Sequence, residues 1–243
     1  MNNINKFVAR FILSATAVAF TATASLSAPI TIPAGLNPGD QYRLAFVTST
    51  TRDGTSANIA DYNAFVTAAA NSQTGLATLG TTWMAIASTG TVNARDNTGT
   101  NPFSDGSGFP IYLLDAASTK IADDNADLWD GSIAAPFATS EAGIEIASRR
   151  HAWTGTRADG TSDGIAYLGS PFGSVPLGRT FETSSSWVME PTSVDTTSLY
   201  RLYAISGVLT VAPVEQVAEP GAIGVLALGL IGLGFARRRK RIS

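Results

Sequence analysis

The side chains that could do chemistry in this chain are few. It has one histidine, no cysteine, and 19 acidic residues against 16 lysines and arginines. Without cysteine there is no thiol nucleophile, no thiolate metal site and no disulfide. The single histidine stands in Arg149-Arg150-His151-Ala152-Trp153. A hydrolase triad would have to use it, no nucleophile elbow is expected to accompany it, and no phosphate-binding loop or Gly-x-Gly-x-x-Gly run is present. His151 therefore reads as a structural or surface histidine, and no catalytic residue is assigned.

Carboxylates are the richer resource. Asp123, Asp124, Asn125, Asp127 and Asp130 fall within eight residues, and oxygen ligands at that density suit calcium. The spacing lacks the internal glycine and the closing glutamate of an EF-hand loop. The competing reading is that these side chains cap turns around a buried Trp129. No other cofactor is expected. The four tryptophans, Trp83, Trp129, Trp153 and Trp187, are either core anchors or platforms for sugar rings. Short apolar neighbours place Trp83 and Trp129 in the core. Trp153 borders the glycine-rich stretch Thr154 to Gly164, so Trp153, Asp159 and Asp163 form the expected ligand edge.

These residues need elements to hold them. Tyr42, Leu44 and Phe46 alternate before Thr48, the pattern of a strand with one buried face. Ile59, Tyr62, Phe65, Val66 and Ala69 follow a 3.6 period after Ser56 and Asn58, which predicts a helix over 59–71. Short apolar pieces then recur at Trp83, Ile111, Trp129, Trp153 and Trp187 between glycine and aspartate turns. An alternating run over 199–206 predicts a strand that closes the domain.

Both ends read as targeting segments. Lys6 and Arg10 precede an apolar run and then a Thr, Ser and Ala tract, the layout of a secretory signal over 1–27 with cleavage after Ala24 or Ser27. Residues 221–236 carry no charge and stop at Arg237, Arg238, Arg239, Lys240 and Arg241. Cations there stay on the cytoplasmic side. The apolar stretch gives about 24 Å of helix against a hydrocarbon core of about 30 Å, so the tail suits transient insertion in the inner membrane. Leaving out the cations of the two ends, 9 cations face 19 acids, a formal charge near −10. A nucleic acid would be repelled by such a surface.

Ala218, Glu219 and Pro220 precede that apolar stretch. The order of a Glu-Pro motif, an apolar helix and an arginine cluster resembles the PEP-CTERM sorting signal, with Ala218 where the first proline of the family stands. The resemblance implies export by the secretion translocon, handling by an exosortase, and release to the cell surface or the surroundings, in company with exopolysaccharide, biofilm or another surface protein.

The interior carries a second resemblance. Trp83-Met84-Ala85, Ala94-Arg95-Asp96, Pro110-Ile111-Tyr112, Leu128-Trp129-Asp130-Gly131-Ser132, Trp153-Thr154-Gly155 and the closing run from Leu199 are similar, in that order, to the C-type-lectin-like fold in its endostatin-like form. The Glu-Pro-Asn, Gln-Pro-Asp and Trp-Asn-Asp motifs that bind calcium and sugar in that family are absent, so the resemblance does not extend to carbohydrate binding. The expected architecture is α+β: a single lectin-like domain over 28–211 with one main N-terminal helix, short strands and long loops. A linker follows over 212–217, then a sorting tail over 218–243 with a transmembrane helix. The expected function is that of a non-enzymatic exported surface protein binding a glycan or a protein. A secreted polysaccharide or ester hydrolase, and an adhesive protein that binds only other proteins, are the alternatives.

Overall fold

The computed structural model describes residues 28–147 and 151–213. The signal segment, Ala218, Glu219, Pro220, the apolar stretch and the five terminal cations lie outside the described residues.

A mixed nine-stranded sheet organises the chain. Its first strand, β1 (Gln41–Val47), is buried at every position except Gln41. Tyr42, Leu44 and Phe46 enter one apolar cluster, while Ala45 and Val47 enter a second on the opposite face. A single buried face was expected of this strand, and the structure corrects that: β1 is an interior strand covered on both sides. The first cluster is roofed by α1 (Ile59–Asn71), which spans the residues its periodicity predicts and buries Tyr62, Val66 and Ala70 at four-residue spacing. Asn58 starts it by accepting a hydrogen bond from the Ala60 N–H at 3.1 Å, the usual service of an N-cap side chain. The short helix α2 (Thr74–Ala77) leads to β2 (Trp83–Ala85), and α3 (Ala94–Asn97) follows.

Next come β3 (Ile111–Leu113), β4 (Lys120–Ala122), α4 (Asn125–Leu128), β5 (His151–Trp153) and β6 (Ser174–Arg179). After a 3-10 turn at Ser185–Trp187, the chain completes β7 (Ser193–Asp195), β8 (Arg201–Ser206) and β9 (Leu209–Thr210). The order across the sheet is β4-β3-β1-β8-β5-β6-β7, with β2 also paired to β8 and β9 to β1. The first and the penultimate strand thus lie side by side in the middle, antiparallel, with Ala45 opposite Ile205. β1–β3 and β5–β8 are parallel pairs. Trp83 and Trp153 fill the α1 side, and Trp129 and Trp187 fill the other with Phe137 and Tyr203.

Two buried arginines close the central pair from its two ends. Arg43 of β1 donates to the carbonyls of Ser206 at 2.9 Å, Thr98 at 3.0 Å and Gly99 at 2.8 Å. Arg201 of β8 donates to the carbonyl of Thr48 at 2.7 Å and to that of Ser49. Two hydroxyls repeat the exchange. The Leu44 N–H donates to Ser206 Oγ at 2.9 Å, and the Leu202 N–H donates to Thr48 Oγ1 at 3.0 Å. Each strand end is therefore held by a side chain of the other strand's end. Burial lowers the Arg43 pKa, and the three carbonyls it meets replace the water that it gave up.

The expected architecture is overturned in one respect and left outside the described residues in another. A domain built on one main helix with strands in long loops was expected, whereas the helices here are covers on a nine-stranded sheet. Most of these strands are three residues long, too short for a period-2 pattern, and their partners are remote in sequence. A transmembrane helix was also expected. Among the described residues no helix is long and apolar enough to cross a membrane, and the stretch that carried the expectation lies outside them.

The reciprocal clasp gives a prediction. Ser206→Ala and Thr48→Ala each leave a buried N–H without its acceptor, so each should lower unfolding stability by about 1–3 kcal/mol in urea titration. Lys120→Met, on the exposed rim, should leave the urea midpoint unchanged.

Candidate functional site

The acidic run does not converge. Asp124 is the N-cap of α4 and accepts from the Asp127 N–H at 2.9 Å. Asp127 accepts from the Asp123 N–H at 2.7 Å, and Asp123 pairs with Lys120. Asp130 accepts from the Ser132 N–H and hydroxyl at 2.9 and 3.0 Å. Asn125 points inward, donating to the Gly106 carbonyl at 3.1 Å. Asp124, Asp127 and Asp130 each serve their own turn, as in the capping alternative raised by the sequence, while Asn125 reaches across to Gly106. Among the described residues no three histidine, aspartate or glutamate side chains are grouped to hold a metal ion.

The expected ligand edge divides. Trp153 is fully buried; its indole N–H donates to the Arg52 carbonyl at 2.9 Å, and its ring meets Tyr200 edge-on at 5.1 Å. It is a core anchor with no face for a ligand. The loop beyond it does reach solvent. Thr156 and Ser162 bridge its base, and Asp159 at its tip accepts from the Thr161 N–H at 3.0 Å and hydroxyl at 2.6 Å. Burial works to raise the Asp159 pKa, but the bonds from Thr161 together with Arg95 and Arg157 hold it below its ordinary value. Asp163 lies 3.6 Å from the Arg157 guanidinium. Gly160, at φ +80°, packs against the Trp129 ring and the Arg95 stem, where a Cβ would come within 2.7 Å of the indole. Only glycine lets the loop lie on the tryptophan. Gly160-Thr161-Ser162-Asp163-Gly164 has the spelling of a nucleophile elbow, which corrects the expectation that the chain holds none. Its Ser162 sits in this hairpin loop, with its N–H donating to Asn93 Oδ1 at 2.9 Å, whereas an elbow needs a strand-to-helix turn.

A second polar site was not foreseen. His151 Nε2 lies 3.2 Å from Glu190 Oε2, and Arg179 Nη2 pairs with Glu190 Oε1. The Glu190 side chain is 6% exposed, against 35% for His151 and 37% for Arg179. β5 and β6 place His151 directly opposite Arg179, and the Glu190 N–H donates to the Leu177 carbonyl at 2.6 Å, which brings its carboxylate under both. The hydrogen bond from Arg179 lowers the Glu190 pKa; burial opposes it, and the charges of Arg179 and His151 add to the lowering. Tyr200 meets the imidazole edge-on at 6.2 Å. The arrangement keeps an anion under the rim of the sheet and orients the imidazole. Sequence carried no signal for it, because the partners meet only through the strand register.

Comparison with known proteins adds no relative: no family model and no curated protein matches the chain.

The Glu190 cluster sets a pH dependence. A carboxyl whose folded pKa lies below its unfolded value contributes stability that is complete above the unfolded value, and that stability is lost as pH falls through the folded one. The melting temperature should therefore fall as pH drops below about 4.3, the unfolded glutamate value. Glu190→Gln should lower stability at pH 7 by about 1–3 kcal/mol and give a shallower acid limb. A limb unchanged by the substitution would place the acid sensitivity elsewhere.

Proposed function

We propose that this is a non-enzymatic exported surface protein. The signal segment passes it through the inner membrane, the apolar tail holds it there transiently, and an exosortase releases it. The released domain then associates with exopolysaccharide or with another surface protein. The observation that carries this reading is the order of segments in the tail: Ala218-Glu219-Pro220, an uncharged apolar stretch, then five adjacent cations. The cations set the orientation and the motif lies on the far side of the membrane from them.

The domain is suited to losing that tail. β9 pairs with the start of β1, the Gly39 N–H donates to the Val211 carbonyl, and the Val211 N–H donates to the Asp40 carbonyl, both at 2.9 Å. The sheet is closed at Val211, ahead of the Glu-Pro motif, so cleavage beyond it breaks none of these bonds. The start of β1 and the end of the sheet are neighbours, so a tether beyond β9 leaves the sheet beside the start of β1. The negative balance of the residues between the two ends favours neutral or basic ligands.

Intact mass and location test the reading in hosts with and without the exosortase. The expected result is loss of the tail beyond the Glu219-Pro220 region, with release from the membrane, only where the enzyme is present. Retention of the tail in both hosts would overturn it and leave a membrane-tethered protein.

A further inference from the structure

Phe103 is the most exposed large apolar side chain among the described residues, at 85%, yet it is held in place. Its N–H donates to Asn101 Oδ1 at 3.0 Å. Asn101 is itself buried, donating through its N–H to Asp105 at 2.8 Å and through Nδ2 to Asp96 at 2.6 Å. The Arg95 guanidinium lies over the phenyl ring, 5.4 Å from its centre, and its Nη1 donates to the Asp159 carbonyl at 3.3 Å. One arginine thus joins an aromatic ring in water to the tip of the loop that Gly160 seats on Trp129. A fixed ring is a better platform than a mobile one, because less freedom is lost when a ligand settles on it.

We propose that Phe103, Arg95 and Asp159 form a binding platform for a neutral pyranose ring of a polysaccharide. This rests on the proposed surface function and names its ligand class. The apolar C–H face of the sugar stacks on the open part of the phenyl ring. The Arg95 N–H groups and the Asp159 carboxylate supply donors and an acceptor for the ring hydroxyls, the mixture of one apolar face and a few placed polar groups that small ligands need. Asp96 and Asp105, both bound to Asn101, and Asp159 at the loop tip stand against Arg95 and Arg157, three carboxylates to two cations, so a uronic acid would meet net negative charge.

Affinity electrophoresis of the exported protein in gels containing a neutral β-glucan, a neutral galactomannan or acidic alginate tests the platform. Phe103→Ala should weaken retardation by a neutral polysaccharide about ten-fold, as expected when an anchoring aromatic is truncated. Phe172→Ala, which removes another exposed phenyl ring (72%), should leave retardation unchanged. Equal melting temperatures for the two variants and the wild type confirm that both are folded. Wild-type retardation by a neutral polysaccharide that survives Phe103→Ala overturns the platform and leaves glycan binding standing. Retardation by alginate alone overturns the neutral class. No retardation of the wild type in any gel overturns the platform together with glycan binding, while the exosortase experiment still decides the sorting reading independently.

Discussion

The antiparallel contact between β1 and β8 is the constraint on which the rest of the fold depends. The two strands come from opposite ends of the domain, with Arg43 and Ser206 separated by 163 positions, and the chain has no cysteine to tie them. Closing so long a loop carries an entropic penalty that grows only slowly with length, but it must be met by contacts made at the junction itself. The structure meets it by reciprocity. Arg43 and Ser206 close one end, Arg201 and Thr48 close the other, and the residues between them are buried on both faces. β3, β5, β2 and β9 all attach to this pair, so the helices, the Trp129 loop and the Glu190 cluster inherit their positions from it.

Part of this was legible in the sequence. α1 could be read because thirteen residues give more than three turns of periodicity and Asn58 marks the start. β1 and β8 could be read as strands from their alternation. What could not be read was that both are central. Arg43 and Arg201 look like solvent-facing positions, and they can be buried because backbone carbonyls accept hydrogen bonds from their N–H groups. The three-residue strands carry no usable period, and their pairings join residues far apart. That is why short strands and long loops behind one main helix were expected where a nine-stranded sheet stands.

The candidate sites show the same division. Local chemistry was visible: the aspartates over 123–130 cap turns because the N–H groups that donate to them lie within a few positions. Non-local chemistry was not. Trp153 was placed at a ligand edge by its glycine-rich neighbours, yet β5 carries it between two covered faces while the loop alone turns outward. Glu190, Arg179 and His151 meet through the β5–β6 register, and Phe103 meets Asp159 through a shared arginine. The proposed surface function would join these levels: an acidic domain sealed at Val211 offers ordered loops on a rigid sheet, and removal of the proposed sorting tail would leave that seal untouched.

Amide hydrogen exchange tests the reciprocal clasp most directly. The Leu44 and Leu202 N–H groups, which donate to Ser206 and Thr48, should exchange only through global unfolding, with the same opening free energy as the whole domain and the same dependence on denaturant. If either amide exchanges through a local opening, faster than the β1–β3 amides at the neighbouring pair, the clasp is not what holds the two strands together and the account fails at its centre.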